Sequence, residues 1–327
     1  MTITPPAAKW CEIKGECPAC GHKGGWCTAS ADGLIIKCMR AISDRPIKQK
    51  DGSIAYLHSS AKTGKADKLK AKAQRARLTK SEIASILKSH KTAVNPQRLT
   101  KFATSLGVSV KALKAYGVGW DTERGAWSFP MYDGKRNIIG IHLRDGAGKK
   151  WCVPGSQLGL FIPGDYDPKP IPAEVSDDPM PWLLMLPEGL TDAMTAYDFG
   201  LMAVGRPSNK AGSGYAKELL HELPKQIVIV VADNDRTKYM PNGTPYWPGI
   251  EGAVELAEAI LPEAGKAKFM LTPKPDKDLR EWKNKGGDMA RLLAELMAAP
   301  LINWAWIARA RKRLAERVKT ERRLPTV

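Results

Sequence analysis

At 327 residues the chain is long enough for about two or three domains with real cores. It has no apolar run long enough to span a bilayer, and its Pro-rich start lacks a signal-peptide core, so a soluble, cytoplasmic chain with no membrane partner is expected. The formal net charge of +17 is uneven: residues 1–80 carry 16 Lys+Arg against 6 Asp+Glu, residues 301–327 carry 8 against 2, and the middle is close to neutral. A neutral body with two basic ends suits a polyanion, nucleic acid before others, because each Lys or Arg that meets a phosphate releases a counterion.

Four of the six cysteines cluster near the start, as Cys17-Pro18-Ala19-Cys20-Gly21-His22, then Cys27 and Cys38. Clustered thiols without a secretory signal point to metal rather than disulfides. The Cys-Pro-x-Cys-Gly turn reads as a zinc knuckle, and Cys27 and Cys38 are expected on neighbouring strands of a hairpin around Asp32-Gly33. Four thiolates close a tetrahedral structural site, and Zn²⁺ would supply the folding energy that so small a core cannot. Cys11 or His22 could replace one ligand. Residues 1–42 are therefore assigned to a zinc-binding ribbon. Residues 43–80, polar and rich in Lys and Ala, are assigned to a basic flexible linker with a helical tendency near Ala66 to Leu78.

From Ser81 the periodicity becomes helical: Ile83, Ile86 and Leu87 share one face, and Leu99, Phe102, Ala103 and Leu106 share another that Gly107 ends. A short helix from Val110 to Tyr116 follows, and Gly117-Val118-Gly119-Trp120 breaks the chain. Strand-like runs at Trp127 to Phe129, Ile138 to His142 and Trp151 to Val153 are separated by Asp133-Gly134 and Asp145-Gly146 turns. Residues 81–170 thus form a mixed α+β subdomain, with Cys152 a small buried hydrophobe. The prolines and acids from Pro163 to Pro181 mark a domain boundary.

Beyond that boundary, residues 171–299 alternate β and α. Two apolar runs, Trp182 to Leu186 and Ile227 to Val231, deliver Glu188 and Asp233-Asn234-Asp235. Helices are expected over Asp192 to Phe199, Gly212 to Leu220 and Ile250 to Ile260, with further strands at Leu201 to Val204 and Ala267 to Leu271. Such alternation argues for a mostly parallel sheet flanked by helices. Residues 300–327 form a basic C-terminal helix and tail whose tryptophans are expected to pack on the preceding domain, its arginines being open to a partner.

The acids carry the chemistry. Glu188 with Asp192, Asp233 with Asp235, and Asp276 with Asp278 follow three successive strand-like runs, whose ends share one edge in a parallel sheet. Taken singly such acids could be loop solubilisers; together they suit Mg²⁺ or Mn²⁺, which take hard oxygen ligands and keep several waters. The implied chemistry is phosphoryl or nucleotidyl transfer, or phosphodiester cleavage. No G-x-x-x-x-G-K-[ST] loop occurs, so any helicase is expected as a separate partner.

Leu186-Pro187-Glu188-Gly189-Leu190-Thr191-Asp192-Ala193 resembles the first Toprim motif, and Ala232-Asp233-Asn234-Asp235 its Asp-x-Asp motif. Pro275-Asp276-Lys277-Asp278-Leu279 resembles the acidic segment of DnaG-type primases, and Trp127 to Pro130 with Ile138 to Arg144 resembles the strands that lead into their polymerase core. The four-cysteine module resembles the zinc ribbon of the phage and plasmid versions. The resemblance implies a DNA primase: a nucleotidyltransferase that makes short RNA primers from ribonucleoside triphosphates on a single-stranded DNA template, for replication of a phage or plasmid-like element. By the same resemblance Glu188, Asp233 and Asp235 hold the catalytic metal, Asp192, Asp276 and Asp278 support it, and Glu188 assists proton transfer. Arg144 and Lys150 fall near the family's template and nucleotide groove, while Trp26, Lys23, Lys37 and Arg40 would hold the template on the ribbon. Two departures stand out: Arg236 to Pro248 intervene before the small residues that usually follow Asp-x-Asp, and Cys27 and Cys38 are unusually far apart. A Toprim nuclease, or a catalytically idle nucleic-acid-binding factor, would share most of these features.

Overall fold

The structure, a computed structural model, describes residues 10–13, 15–23, 27–30, 32–49, 54–59, 71–72, 77–166, 183–223, 227–239 and 244–321. The chain divides into two compact units, residues 1–76 and 77–327.

The first unit is one antiparallel sheet. Its strands are β1 (Trp10–Ile13), β2 (Thr28–Ser30), β3 (Ile35–Cys38), β4 (Pro46–Lys48), β5 (Ile54–Ser59) and β6 (Ala71–Lys72), in the order β4-β5-β3-β2-β1-β6. Ile13, Ala29 and Ile36 turn inward with the cysteines to make its small core. Thr28 pairs with Lys37, which brings the flanking Cys27 and Cys38 together as expected. The turn between them is built by Asp32, which accepts from Ser30 Oγ and the Leu34 amide, and by Gly33 at φ 73°. The expected linker needs correction, because β5 pairs onto β3 and β4 onto β5, which extends the ribbon to at least Ser59. β4 is short and largely exposed and is held by backbone pairing, whereas β5 buries Ala55 and Leu57 on alternate positions. The expected helical stretch from Ala66 to Leu78 lies largely outside the described residues, and Ala71–Lys72 within it is strand.

The second unit opens with α1 (Lys80–Thr92), α2 (Pro96–Leu106) and α3 (Val110–Ala115), each started by a side-chain cap. Thr79 and Glu82 form a capping box, Asn95 caps α2 with Pro96 at its first position, and Ser109 caps α3. An antiparallel sheet follows, of β7 (Gly119–Asp121), β8 (Ala126–Tyr132), β9 (Ile138–Arg144) and β10 (Lys150–Cys152), in order β10-β9-β8-β7. The expected break at Gly117 to Trp120 is only partial, since Gly119 to Asp121 pair with β8. Cys152 is half-buried rather than buried.

Then come β11 (Leu183–Leu186), α4 (Leu190–Asp198), β12 (Met202–Ala203), α5 (Ser213–Glu222), β13 (Ile227–Ala232), β14 (Lys238–Tyr239), β15 (Pro245–Tyr246), α6 (Pro248–Ile260), β16 (Lys266–Leu271), α7 (Leu279–Asn284), α8 (Met289–Ala298) and α9 (Trp304–Glu321). The sheet β12-β11-β13-β16 is parallel throughout. Its two inner strands are apolar at every turn because helices cover both faces; every residue of β11 is buried. Each such Leu, Val or Ile contributes about 1.5–3 kcal/mol, so the register that sets the strand ends is strongly held.

The boundary expected at Pro163 to Pro181 falls mostly outside the described residues, and the flanking parts are not separate bodies. Phe102, Leu113, Trp127 and Phe129 share one core with Leu183, Met185, Ile229 and Val231. Tyr116 also donates its hydroxyl to Ala203 O at 2.7 Å, and Phe161 pairs with Gly205. Of the C-terminal tryptophans, Trp306 packs on Phe269 with ring centroids 4.7 Å apart, but Trp304 is 58% exposed, against the expectation that both pack inward. Among the described residues no helix is long and apolar enough to cross a membrane.

Candidate functional site

In the first unit Cys17, Cys20, Cys27 and Cys38 are all buried, and their sulfur atoms lie within 4.8 Å of one another. Cys20 and Cys27 are 3.9 Å apart, and Cys27 and Cys38 are 3.6 Å apart. A tetrahedron with Zn–S bonds of about 2.3 Å has edges of roughly 3.8 Å, so the spacing fits Zn²⁺. The knuckle amides of Cys20 and Gly21 fold back on Cys17 O, while the amides of Arg40 and Ala41 point at Cys38 Sγ. Thiols this close share protons: hydrogen bonds from Cys17 and Cys27 hold Cys38 far below the ordinary thiol range, and Cys27 is pushed far above it. Neither Cys11, on β1, nor the exposed His22 belongs to the group.

The basic residues expected to hold a template on this ribbon are placed variously. Lys23 pairs with Glu16 at 3.6 Å, Lys37 lies 4.9 Å over the Trp10 ring, and Arg40 is exposed. Trp26 lies outside the described residues.

In the second unit β11, β13 and β16 are neighbours and parallel, so their ends deliver Glu188, Asp233 with Asp235, and the 276–278 turn to one edge. Two close approaches fix this edge. Thr272 donates from both its amide and hydroxyl to Ala232 O, and a Cβ on Gly249 would stand 2.4 Å from Asp233 O, so only glycine lets α6 start there. Asn234 ties the edge to the third turn through its amide, which meets Lys277 O at 2.7 Å.

The carboxylates feel one another. Burial, then Asp192 and Glu188, push Asp233 well above the carboxylate range. Burial and the Asp278 charge raise Asp192 to about 7, and burial raises Glu188 as well, with Asp235 adding to it. Glu188 Oε2 is buried without a hydrogen-bond partner. Two roles are more structural: Asp278 caps α7 through the Glu281 amide, and Asp276 meets Lys285 Nζ at 2.7 Å, so its charge is already matched. Among the described residues only the four cysteines bring three or more ligand atoms within 4.8 Å. The acids line a wider rim, with Lys277 Nζ 3.6 Å from Asp235. Burial works against the Lys277 charge, but Asp233, Asp235, Asp278 and Glu188 outweigh it and raise its pKa.

Beside this rim is a small cleft whose polar lining is His142, Arg144, Lys150, Thr191 and Arg206. Arg144 and Lys150, named from the sequence, are joined by Arg280: burial lowers both pKa values, Arg280 lowers that of Arg144 further, and Arg144 and Arg280 lower that of Lys150, where Asp192 works against them. Four residues here escaped the sequence reading. Arg206 is 1% exposed and sets its charge against Glu188 and Asp233. His142 is held neutral, its pKa lowered to about 3 by burial and then by Lys150 and Arg144. Lys277 and Arg280 flank Asp278, and the Arg280 amide donates to Asp192 Oδ1 at 3.2 Å. The only sequence signal for Arg206 is its place between Gly205 and Pro207, directly after a short strand.

No family model and no curated protein matches the sequence. Solved structures do. The zinc-binding and RNA polymerase domains of the Aquifex aeolicus primase are 15% identical, with 95% of this chain and 85% of that one covered at a TM-score of 0.50. The DnaG catalytic core is 17% identical over 68% of this chain and 80% of that one, with a TM-score of 0.49. The primase fragment of the bacteriophage T7 primase-helicase protein is 14% identical over 88% and 99%, with a TM-score of 0.43. The Aquifex likeness establishes the fold. It is the fold of DnaG-type primases: a Cys₄ ribbon, then a mixed α+β subdomain leading into a mostly parallel Toprim sheet flanked by helices.

Proposed function

We propose that the chain is a DNA primase, which joins ribonucleotides into short RNA primers on single-stranded DNA during replication of a phage or plasmid-like element. The observation that carries this reading is the convergence of three adjacent parallel strand ends, bearing Glu188, Asp233 with Asp235, and Asp278, on an edge flanked by Arg144, Lys150 and Arg280. The acids fit a divalent cation: burial and then neighbouring carboxylates raise the pKa of Asp233, burial and Asp235 raise that of Glu188, and buried Glu188 Oε2 lacks a partner. Glu188, Asp233 and Asp235 would hold Mg²⁺ or Mn²⁺, supported by Asp192 and Asp278. When bound, the metal supplies Lewis-acid stabilisation of the attacking and leaving oxygens.

The chain's own residues do the rest. Arg144, Lys150 and Arg280 bind the triphosphate of the incoming ribonucleotide and offset its charge. Glu188 assists transfer of the proton from the attacking 3′-hydroxyl, the role the resemblance implies for it. Arg206 sits behind Glu188 and Asp233 as a fixed counter-charge. On the ribbon, Zn²⁺ held by Cys17, Cys20, Cys27 and Cys38 orders the fold, and Lys23, Lys37 and Arg40 meet template phosphates, with Trp26 assigned to stack a base. A separate replicative helicase is the proposed partner.

The test is incubation with single-stranded DNA, labelled ribonucleotides and Mg²⁺ or Mn²⁺. Short oligoribonucleotides that vanish in Asp233→Ala are expected. Degradation of the DNA instead would make the site a Toprim nuclease, and neither activity would leave a nucleic-acid-binding factor.

A further inference from the structure

The insertion after Asp235 is built as a grip. Strand β14 pairs with β15, Lys238 opposite Tyr246 and Tyr239 opposite Pro245. The base of this ribbon is anchored by Trp247, which is 1% exposed. The Trp247 indole donates to Thr237 Oγ1 at 2.9 Å, its amide donates to Glu251 Oε1 at 3.0 Å, and the Arg317 guanidinium lies 3.9 Å over its ring. Two residues on, Gly249 packs against the backbone of Asp233. The ribbon is therefore tied to the acidic edge and to α9.

What the stem presents is unpartnered. Arg236, Lys238 and Tyr239 are exposed, Tyr239 by 61%. Among the described residues neither cation has an acidic partner, and the Tyr239 ring stacks on nothing. A single exposed aromatic is ordinary. An exposed ring on a braced two-stranded ribbon, next to two exposed cations and at the edge of a carboxylate site, offers a recognition surface. Successive side chains alternate across a strand, so Lys238 and Tyr239 face opposite sides of the ribbon.

We propose that Arg236, Lys238 and Tyr239 form a binding site for single-stranded nucleic acid, with the cations on phosphates and Tyr239 stacked on an unpaired base beside the acidic edge. A duplex hides its base faces and leaves only the phosphate contacts. The inference deepens the primase reading and rests on it for what the held strand is used for.

The test is fluorescence anisotropy of the full chain with a labelled single-stranded oligothymidylate and with a duplex of equal length, without nucleotide. Tyr239→Ala is expected to weaken single-strand binding about tenfold while duplex binding holds, and Tyr239→Phe to bind as the parent does. Lys238→Ala should lower the slope of log affinity against log salt by about one. Because the side chains are exposed, unfolding midpoints should match the parent. Tyr239→Ala binding the single strand within about twofold of the parent would overturn the proposal, as would equal losses in the Ala and Phe variants. Primer synthesis by the parent separates the two readings: a parent chain that makes no primers, yet loses strand binding on Tyr239→Ala, refutes priming and keeps this site.

Discussion

Asp192 is buried beneath the acidic edge, and replacing it with Asn should make the metal-free protein more stable above neutral pH. Its pKa is raised from 3.8 to about 7 by burial and by Asp278, against the pull of the Arg280 amide and the Arg280 and Lys150 charges. Below about pH 4 the folded and unfolded forms are both protonated and the site costs nothing. Between there and about 7 the unfolded chain is ionised while the folded chain keeps its proton, so stability falls as pH rises, and it levels off above about 7. At about 1.4 kcal/mol per pH unit the whole fall is about 4 kcal/mol, and sharing the charge with Asp278 brings a single substitution to about 2–4 kcal/mol. Asn keeps the shape and can still accept the Arg280 amide. Denaturant unfolding from pH 4.5 to 8.5, without added divalent ion, should show Asp192→Asn gaining on the parent as pH rises, with the gap level above about 7. Added Mg²⁺ should narrow the gap, because it stabilises the ionised parent. Parallel pH profiles for the two proteins would refute the reasoning.

Two further changes test the supports of each unit. Cys38→Ser should cost the first unit its bound zinc, read by elemental analysis, and leave residues 10–59 open to limited proteolysis while the unfolding of residues 77–327 is unchanged. Gly249→Ala puts a methyl 2.4 Å from Asp233 O, so the strand end must move. It should destabilise the second unit by about 1–3 kcal/mol in thermal unfolding and weaken Mn²⁺ binding in titration calorimetry.

The parts visible in the sequence are those whose cause is local. Cys17-Pro18-Ala19-Cys20-Gly21 is a metal turn by itself, and Ile227 to Ala232 is apolar at every position because the strand is buried on both faces. The carboxylates after such strands were legible for the same reason. The short strands at Pro46–Lys48 and Gly119–Asp121 were not, because pairing with β5 and β8 defines them rather than any pattern of their own. The supposed boundary after Pro163 misled because proline and acid content reports on the connecting segment, whereas the packing of Phe102 and Trp127 with Met185 and Ile229 is tertiary. Arg206, Lys277, Arg280 and His142 belong to the site only through such placement. Arg206 follows β12, a strand that reaches the edge by pairing with β11, and nothing within a few residues of it announces Glu188. Trp304 and Trp306 are alike in sequence and differ only in that Phe269 stands under one of them.

The central claim is that the edge of the β11-β13-β16 sheet is a divalent-metal site. Crystals soaked in Mn²⁺ test it most directly through anomalous scattering at the manganese edge. The account predicts a peak among the carboxylates of Glu188, Asp233 and Asp235, with Lys277 Nζ moved away from Asp235. Manganese bound only elsewhere, with the Lys277–Asp235 pair intact, would contradict it.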